Sequence, residues 1–586
     1  MMSFSFSRMI LLGIALLHGL ARIGAATSTI SSPASSLPIV DLGYTLHRAT
    51  LNFSDPYHYY NFSNIRFGKA PVGDFRFQAP LPPSKSRNKT VNDGQQGVIC
   101  PQATPGWIDV AGLYLTGTTD LAVLAAVQTE ERLNRTPANI PAPDPRTSED
   151  CLFLDVIVPT AIYDSTHAKC KRQPGCKSTG NGSTGAPVII WIFGGGYTYG
   201  DKTNPAAPAG LLSESEVHGG IIFVAMNYRL GLFGFLAGEL GITPNAGILD
   251  QRLAMEWVQE YIHLFGGDPN QVTIMGESSG GGSVLYHITA YGGNGGKLPF
   301  QRGILQSPAT NQPLKTAQQR DIYQQTLSEA SSVTSSRIST VQELKSLSFE
   351  NLYATNYMVV GNSDYGSFTY NPGPDRFYVP DFPSRLLSEG RFDHSILIMV
   401  GHNINEGAIF SSPFITTQAD YVTAVEQIIP GASQEVIAYV TETLYPNVLN
   451  GSFSYTTQNE RFALTLSDLY ITCNTRFLAL AFKGLAYSYL FSVPPGYHGV
   501  DVAYTFNDGP AKDEGYPVNA TLAGIFQNYI GTFAATGSPN YAGLPYFPRY
   551  GANTTVLDVN VTNLGSRLVD PMANQRCTYW YTTPYA

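Results

Sequence analysis

Residues 272–283 read Val-Thr-Ile-Met-Gly-Glu-Ser-Ser-Gly-Gly-Gly-Ser. Four mostly β-branched or apolar residues run into Gly276-Glu277-Ser278-Ser279-Gly280, and a helix-compatible segment, Ser283 to Ala290, follows. A G-x-S-x-G turn between strand and helix is so tight that the backbone of Ser278 is strained. Glycines two residues before and after it leave no Cβ to clash. Such a turn holds the serine Oγ out at the end of the strand. It also sets the serine at the N-terminus of a helix, whose free N–H groups favour negative charge. The pattern occurs once in the chain.

The surrounding sequence alternates strands with helices. Pro187 to Phe193 is a continuous apolar run, which suits a strand buried on both faces, and it ends in Gly194-Gly195-Gly196-Tyr197. A second buried strand is expected at Ile221–Ala225, and Leu249 to His263 has helical periodicity. Beyond the elbow, strand-like runs recur at Arg302–Gln306, Ser395–Val400 and Ala486–Val493, separated by helical stretches such as part of Arg461–Ala481. This alternation predicts an α/β fold with a large, mainly parallel central sheet flanked by helices. Leu37 to Pro83 reads as opening hairpins that end in a turn-rich stretch, residues 70–80, expected on the surface. A length of 586 residues would by itself suggest several domains, but no repeat or linker interrupts the pattern, so residues 27–586 are expected to form one domain. With 43% hydrophobic and 13% charged residues, the chain can bury a core of that size.

One segment stands apart. Between Cys100 and Cys151 the chain is first apolar and aromatic (Trp107, Leu113, Tyr114, Leu115), then helical around Asp120–Arg132, then proline-rich to Pro145. A long loop with a helix of its own is expected to act as a lid.

A serine hydroxyl is a poor nucleophile near neutral pH. It needs a base, usually histidine, and the base needs a carboxylate that fixes its tautomer and stabilises its cation. Behind an elbow of this kind the partners follow in the order Ser, Asp/Glu, His, in loops beyond strand ends. Four histidines lie after Ser278: His287, His394, His402 and His498. His287 falls in the helix after the elbow and His394 leads into a strand. His402 follows a strand, but no acid-bearing loop with a strand in front of it precedes it. His498 sits in Pro494-Pro-Gly-Tyr-His-Gly-Val-Asp501, directly after the strand Ala486–Val493, and has both position and room. For the acid, Glu406 follows the apolar strand Ile396–Val400, whereas Asp393 precedes that strand, and Asp364, Asp375 and Asp381 have no comparable strand before them. The Gly194–Gly196 triplet can present N–H groups to a developing oxyanion, and the N–H of Ser279 should complete that site. This chemistry calls for no metal or organic cofactor.

The N-terminus reads as a secretory leader. Arg8 precedes the apolar run Met9–Leu17, and small residues at Gly24-Ala25-Ala26 place a cleavage site near Ala26. The run is too short for a comfortable span, so no stable membrane anchor is expected. Nine N-x-S/T sequons agree with secretion, at Asn52, Asn61, Asn88, Asn134, Asn181, Asn450, Asn519, Asn553 and Asn560. So does the even count of six cysteines, Cys100, Cys151, Cys170, Cys176, Cys473 and Cys577; the short loop between Cys170 and Cys176 favours their pairing. A net charge of −9 argues against nucleic acid as a partner. The oligomeric state is left open.

These residues together resemble the type-B carboxylesterase/lipase family of the α/β-hydrolase fold, which includes cholinesterases and secreted fungal lipases. The resemblance runs from about residue 40 to the C-terminus. It rests on Glu149-Asp-Cys-Leu-Phe-Leu-Asp-Val156, Trp191-Ile-Phe-Gly-Gly-Gly-Tyr197, Asn227-Tyr-Arg229, Asn245-Ala-Gly-Ile-Leu-Asp-Gln251, Phe265-Gly-Gly-Asp-Pro269 and Gly276-Glu-Ser-Ser-Gly-Gly281. The Asn-Glu-Gly at Glu406 resembles the family's acid loop, and the His-Gly at His498 its histidine loop. The resemblance implies a Ser278–Glu406–His498 triad, an oxyanion hole at Gly195, Gly196 and Ser279, and Ser307 as a serine behind the triad. It also implies a Cys100–Cys151 disulfide closing the lid-like loop, which leaves Cys473 and Cys577 to tie the C-terminal tail to the body. Ser279 stands where the family usually has alanine, Phe193 and Tyr197 flank the glycines in place of the usual residues, and Pro308 replaces a usual glycine. The expected activity is a secreted serine carboxylic ester hydrolase acting on a small-molecule or lipid ester through an acyl-enzyme. A triacylglycerol lipase or an aromatic, feruloyl-type esterase is the alternative among enzymes, and a non-catalytic adhesion or binding protein the alternative outside them.

Overall fold

The computed structural model describes residues 37–52, 58–94, 96–171, 185–204, 208–310, 316–509, 517–563 and 565–582. Its strands are β1 (Ile39–Asp41), β2 (Leu46–Arg48), β3 (Thr50–Asn52), β4 (Tyr59–Arg66), β5 (Val91–Asn92), β6 (Phe153–Pro159), β7 (Ala186–Ile192) and β8 (Ile222–Met226). They continue as β9 (Gly267–Glu277), β10 (Arg302–Gln306), β11 (Leu397–Asn403), β12 (Ala486–Phe491), β13 (Thr555–Val559) and β14 (Ser566–Val569). β1, β2 and β5 form a small sheet. The others form one sheet in the order β14-β13-β12-β11-β10-β9-β7-β8-β6-β4-β3.

The seven strands from β8 to β13 pair in parallel, and the antiparallel pairings lie at the two edges. Composition explains this division. Ile222-Phe-Val-Ala-Met226 and Ala486-Tyr-Ser-Tyr-Leu-Phe491 are buried at every position, as strands covered on both faces must be. Helices pack on the sheet, among them Ala246–Tyr261, Ser279–Ile288 and Ala520–Thr536. The fold is the α/β arrangement with a mainly parallel sheet expected from the alternation of strands and helices, and it agrees with the α/β-hydrolase fold that the resemblance implies.

Parallel pairing sets a common direction. β9, β10, β11 and β12 all end on the same side, and Ser278, Ser307, Glu406 and His498 each follow one of those ends. A sheet of this kind offers its binding crevice just there.

The opening hairpins form as expected, but residues 70–80 are only partly superficial. Phe77 is buried, and Arg76 makes a bidentate pair with Glu149 at 2.6 and 2.7 Å while donating to the Lys345 and Leu347 carbonyls. A cation held this way serves as a clamp inside a surface-like, turn-rich sequence.

The segment between Cys100 and Cys151 carries two helices, Trp107–Leu115 and Leu121–Asn134, the second capped by Asp120, whose carboxylate accepts from the Ala122 N–H. Cys100 is joined to Cys151 and Cys473 to Cys577, with Cα separations of 5.0 and 5.1 Å. The Cys170–Cys176 pairing, the leader, Asn181 and the side chain of Asn52 lie outside the described residues. No helix among the described residues is long and apolar enough to cross a membrane.

Candidate active site

The elbow is built by close backbone approach. Ser278 has φ 58° and ψ −123°, far from the helix that begins at Ser279. A Cβ on Gly280 would meet the Ile192 carbonyl oxygen at 2.0 Å, and one on Gly276 would meet the Gly280 carbonyl carbon at 2.4 Å. Both glycines are therefore required by the packing of the turn against β7. The Ser278 N–H is held by the Gln306 carbonyl at 3.1 Å, and its own carbonyl accepts from Gly282 and Ala309.

His498 Nε2 lies 2.8 Å from Ser278 Oγ, and its Nδ1 lies 2.5 Å from Glu406 Oε2. The ionised carboxylate fixes the tautomer: Nδ1 carries the proton and donates it to Glu406, while Nε2 is free to accept from the serine. Glu406 is fully buried, and its other oxygen accepts from Ser307 Oγ and the Asn403 N–H, each at 2.6 Å. Burial acts to raise its pKa. The charge of His498 and the bonds from His498 and Ser307 outweigh this and hold it below the usual carboxylate range. Glu406 is thus an anion built into a dry site.

Two further acids face the histidine. Glu277, the variable residue of the elbow, places Oε1 3.4 Å from His498 Nε2, and this oxygen accepts no hydrogen bond. Burial pushes Glu277 up to about 8 against the field of His498. Asp501 is fully buried on the first turn of the short helix after His498; it accepts from Asn403 Nδ2 at 3.1 Å and Gln306 Nε2 at 2.9 Å, and burial raises it to about 6. For His498, burial acts downward, but Glu277 and Glu406 act upward and carry it to about 9.

On the other side of the serine, Gly195 and Gly196 have φ of +105° and +59°, which side chains rarely adopt. A Cβ on Gly195 would strike the Tyr199 carbonyl at 2.1 Å, and one on Gly196 the Phe368 ring at 2.2 Å. Ser279 is the first residue of its helix, so its N–H has no partner within that helix. Its hydroxyl, in place of a methyl, accepts from the Tyr197 N–H at 3.4 Å and so touches the glycine turn. Phe193 stacks on Tyr228 with ring centroids 4.3 Å apart, and its carbonyl accepts the Tyr228 hydroxyl at 2.9 Å.

The residues singled out in the sequence as a triad therefore meet, and the glycine triplet, Ser279 and Ser307 lie beside them. The rejected histidines are elsewhere. His287 is buried between the Tyr378 hydroxyl and Gln251 and pushed down to about 3 by burial, while His394 is exposed; His402 bonds the Asn403 carbonyl. Sequence reasoning missed Glu277, Asp501 and Asn403 as neighbours of His498 and Glu406. It also missed an aromatic group at the site: Phe410 lies edge-on to His498 with centroids 5.1 Å apart. The signal for Glu277 and Asp501 was present, since an acid stands next to Ser278 and another three residues after His498.

Comparison with known proteins gives a consistent picture. The Carboxylesterase family matches residues 47–580. The chain is 37% identical over 561 residues to Carboxylesterase patB of Penicillium expansum, covering 93% of this chain and 96% of that protein. It is 32% identical over 508 residues to Lipase 5 of Diutina rugosa, covering 82% and 84%. In fold it is similar to the crystal structure of Aspergillus niger EstA, with a TM-score of 0.74 at 23% identity, covering 93% of this chain and 98% of that one.

Proposed function

The chain belongs to the carboxylesterase family and is a carboxylic ester hydrolase, and on that premise we propose that it works through an acyl-enzyme formed on Ser278. The observation that carries this reading is the unbroken chain of contacts Ser278 Oγ–His498 Nε2 at 2.8 Å and His498 Nδ1–Glu406 Oε2 at 2.5 Å. His498 takes the Ser278 proton as Oγ attacks the ester carbonyl. The oxyanion is received by the N–H groups of Gly195, Gly196 and Ser279, a contribution of about 3–4 kcal/mol for each effective donor. His498 then gives its proton to the alcohol oxygen as the C–O bond breaks. Water, deprotonated by His498, attacks the acyl carbon, and the serine regains its proton as the acid leaves. Glu406 orients the imidazole and stabilises its cation throughout, and Ser307 holds Glu406.

The protein acts outside the cell in this reading, on the strength of the N-terminal leader and the sequons. Its substrate is a small-molecule or lipid ester. The test is Ser278→Ala: hydrolysis of p-nitrophenyl esters is lost and fluorophosphonate labelling disappears while far-UV circular dichroism is unchanged. A folded variant that keeps near-normal turnover refutes the assignment.

A further inference from the structure

We infer that Lys202, held by Asp155, is a positioning residue for the reaction: the pair fixes the return limb of the glycine loop, and through it the N–H groups of Gly195 and Gly196. The inference rests on the reading of Ser278 as nucleophile and of those N–H groups as receivers of the oxyanion. Lys202 Nζ lies 2.7 Å from Asp155 Oδ1, with side chains 1% and 7% exposed. The same oxygen accepts the Asn64 N–H at 2.7 Å. Asp155 lies within β6 and Lys202 follows β7, and β8 stands between those strands in the sheet. The ammonium thus bridges the two across β8.

The limb from Thr198 to Lys202 backs directly on the glycines. The Thr198 and Tyr199 N–H groups both donate to the Gly195 carbonyl, at 3.0 and 3.2 Å. That carbonyl and the Gly196 N–H belong to one planar, trans peptide unit and point in opposite directions. The bonds that fix the carbonyl therefore aim the N–H. The next unit back is set by packing: a Cβ on Gly200 would meet the Gly194 carbonyl oxygen at 2.8 Å and the Phe193 ring at 2.6 Å. The Gly194 carbonyl shares its peptide unit with the Gly195 N–H. The limb itself is tied by three neutral bonds. Ala103 N–H donates to the Thr198 carbonyl at 3.0 Å, Gly200 N–H to Gln102 Oε1 at 2.9 Å and Lys202 N–H to Asn227 Oδ1 at 3.1 Å. The ammonium of Lys202 adds a charged tie at its end.

Stability alone does not account for such a pair. Desolvating two charges opposes their attraction, and a neutral pair of the same shape is often at least as stable. What the pair supplies is a fixed position, because an ammonium that moves away leaves a bare carboxylate in a dry site. The loop needs this. Gly195, Gly196 and Gly200 all have positive φ, and without side chains they have no contacts of their own to hold them there. Oxyanion donors are effective only when they are in place before the charge develops. Lys202 and Asp155 touch no reacting atom; they act through the peptide units of the glycines.

The test is the doubly neutral variant Asp155→Asn with Lys202→Met, which keeps both shapes and the acceptor for the Asn64 N–H. Its Tm should match wild type. Its kcat for p-nitrophenyl acetate should fall at least about tenfold with KM unchanged, part of the hundredfold to thousandfold lost when an oxyanion donor is removed outright. The Ki of a trifluoromethyl ketone, whose serine adduct carries the same oxyanion, should rise by about the same factor. The acid limb of the pH profile, set by the triad, should stay in place. Wild-type kcat and ketone affinity in the folded double variant overturn the inference. So does a loss confined to KM, or one that follows a lowered Tm. If the double variant does not fold, Lys202→Met alone, in which Asp155 takes up a proton, carries the same expectations. Failure of both to fold would make the pair a requirement of the fold and overturn its assignment to the reaction. Absence of fluorophosphonate labelling in wild type would instead strike the reading of Ser278, and it is told apart by appearing without any substitution.

Discussion

Glu277→Gln isolates the charge that faces His498, the proposed base. The substitution keeps the shape of the side chain and the end of β9 but removes the ability to ionise. In the wild type His498 is raised to about 9, burial opposing the charges of Glu277 and Glu406, and Glu277 is raised to about 8, chiefly by burial. The groups lie 3.4 Å apart, with Glu406 and Asp501 facing the same ring. The ionised Glu277 carboxylate is one of the charges that hold the imidazolium, and the amide removes it. A unit charge 3.4 Å away is worth about 1 kcal/mol even at the dielectric of water, close to one pKa unit. A raised pKa delays the base to higher pH, so removing its cause brings activity in earlier. The acid limb of kcat/KM for p-nitrophenyl acetate should move to lower pH by about 1 unit, and kcat/KM on that limb should rise about tenfold. The uncharged substrate keeps its own ionisation out of the profile, and fluorophosphonate titration counts the active sites. An acid limb that stays in place, or moves to higher pH, refutes the electrostatic argument.

The remaining expectations are simpler. Ser307→Ala removes one of two short bonds to Glu406 Oε1, leaving the Asn403 N–H. A hydrogen bond to a charged group is worth about 1.5–3 kcal/mol, so kcat/KM should fall about tenfold to hundredfold with the circular dichroism unchanged, and a wild-type value would mean that Asn403 alone suffices. In a secretory host, glycopeptide mapping should find glycans at the exposed Asn88, Asn134, Asn450 and Asn553 and none at Asn560. Asn560 is 9% exposed, gives its amide to Asp558 and accepts from Thr562 and Asn563. A glycan at Asn560 on folded protein would contradict that packing.

The proposed site was legible in the sequence because its residues are carried by local devices. A nucleophile elbow is a contiguous turn, and its glycines are needed by backbone contacts that any fold presenting this turn must make. The strands that carry Ser307, Glu406 and His498 are apolar runs buried on both faces, so each could be placed along the chain and the residues after it picked out as loop residues. Parallel pairing then brought those loops to one side of the sheet. The register of the parallel strands was not written in any one of them; it follows from packing the whole sheet.

What surrounds the triad was decided by tertiary structure. Glu277 and Asp501 stood in plain sight beside Ser278 and His498, yet nothing local says that an acid next to a nucleophile will be buried with an oxygen that accepts no bond, 3.4 Å from a histidine 221 positions along. Lys202 and Asp155 come from separate segments, and each alone reads as an ordinary charged residue. The segment 100–151 was expected to be a lid because it is a long loop with a helix of its own. Its meaning depends on hydrogen bonds to residues 198–200, 361 and 367, which only the folded chain brings near. The sequence by itself determined the fold class and picked out the proposed reacting groups, because these depend on periodicity and on short turns. The electrostatics and shape of the pocket depend on distances between remote residues, and those exist only once the chain has closed on itself.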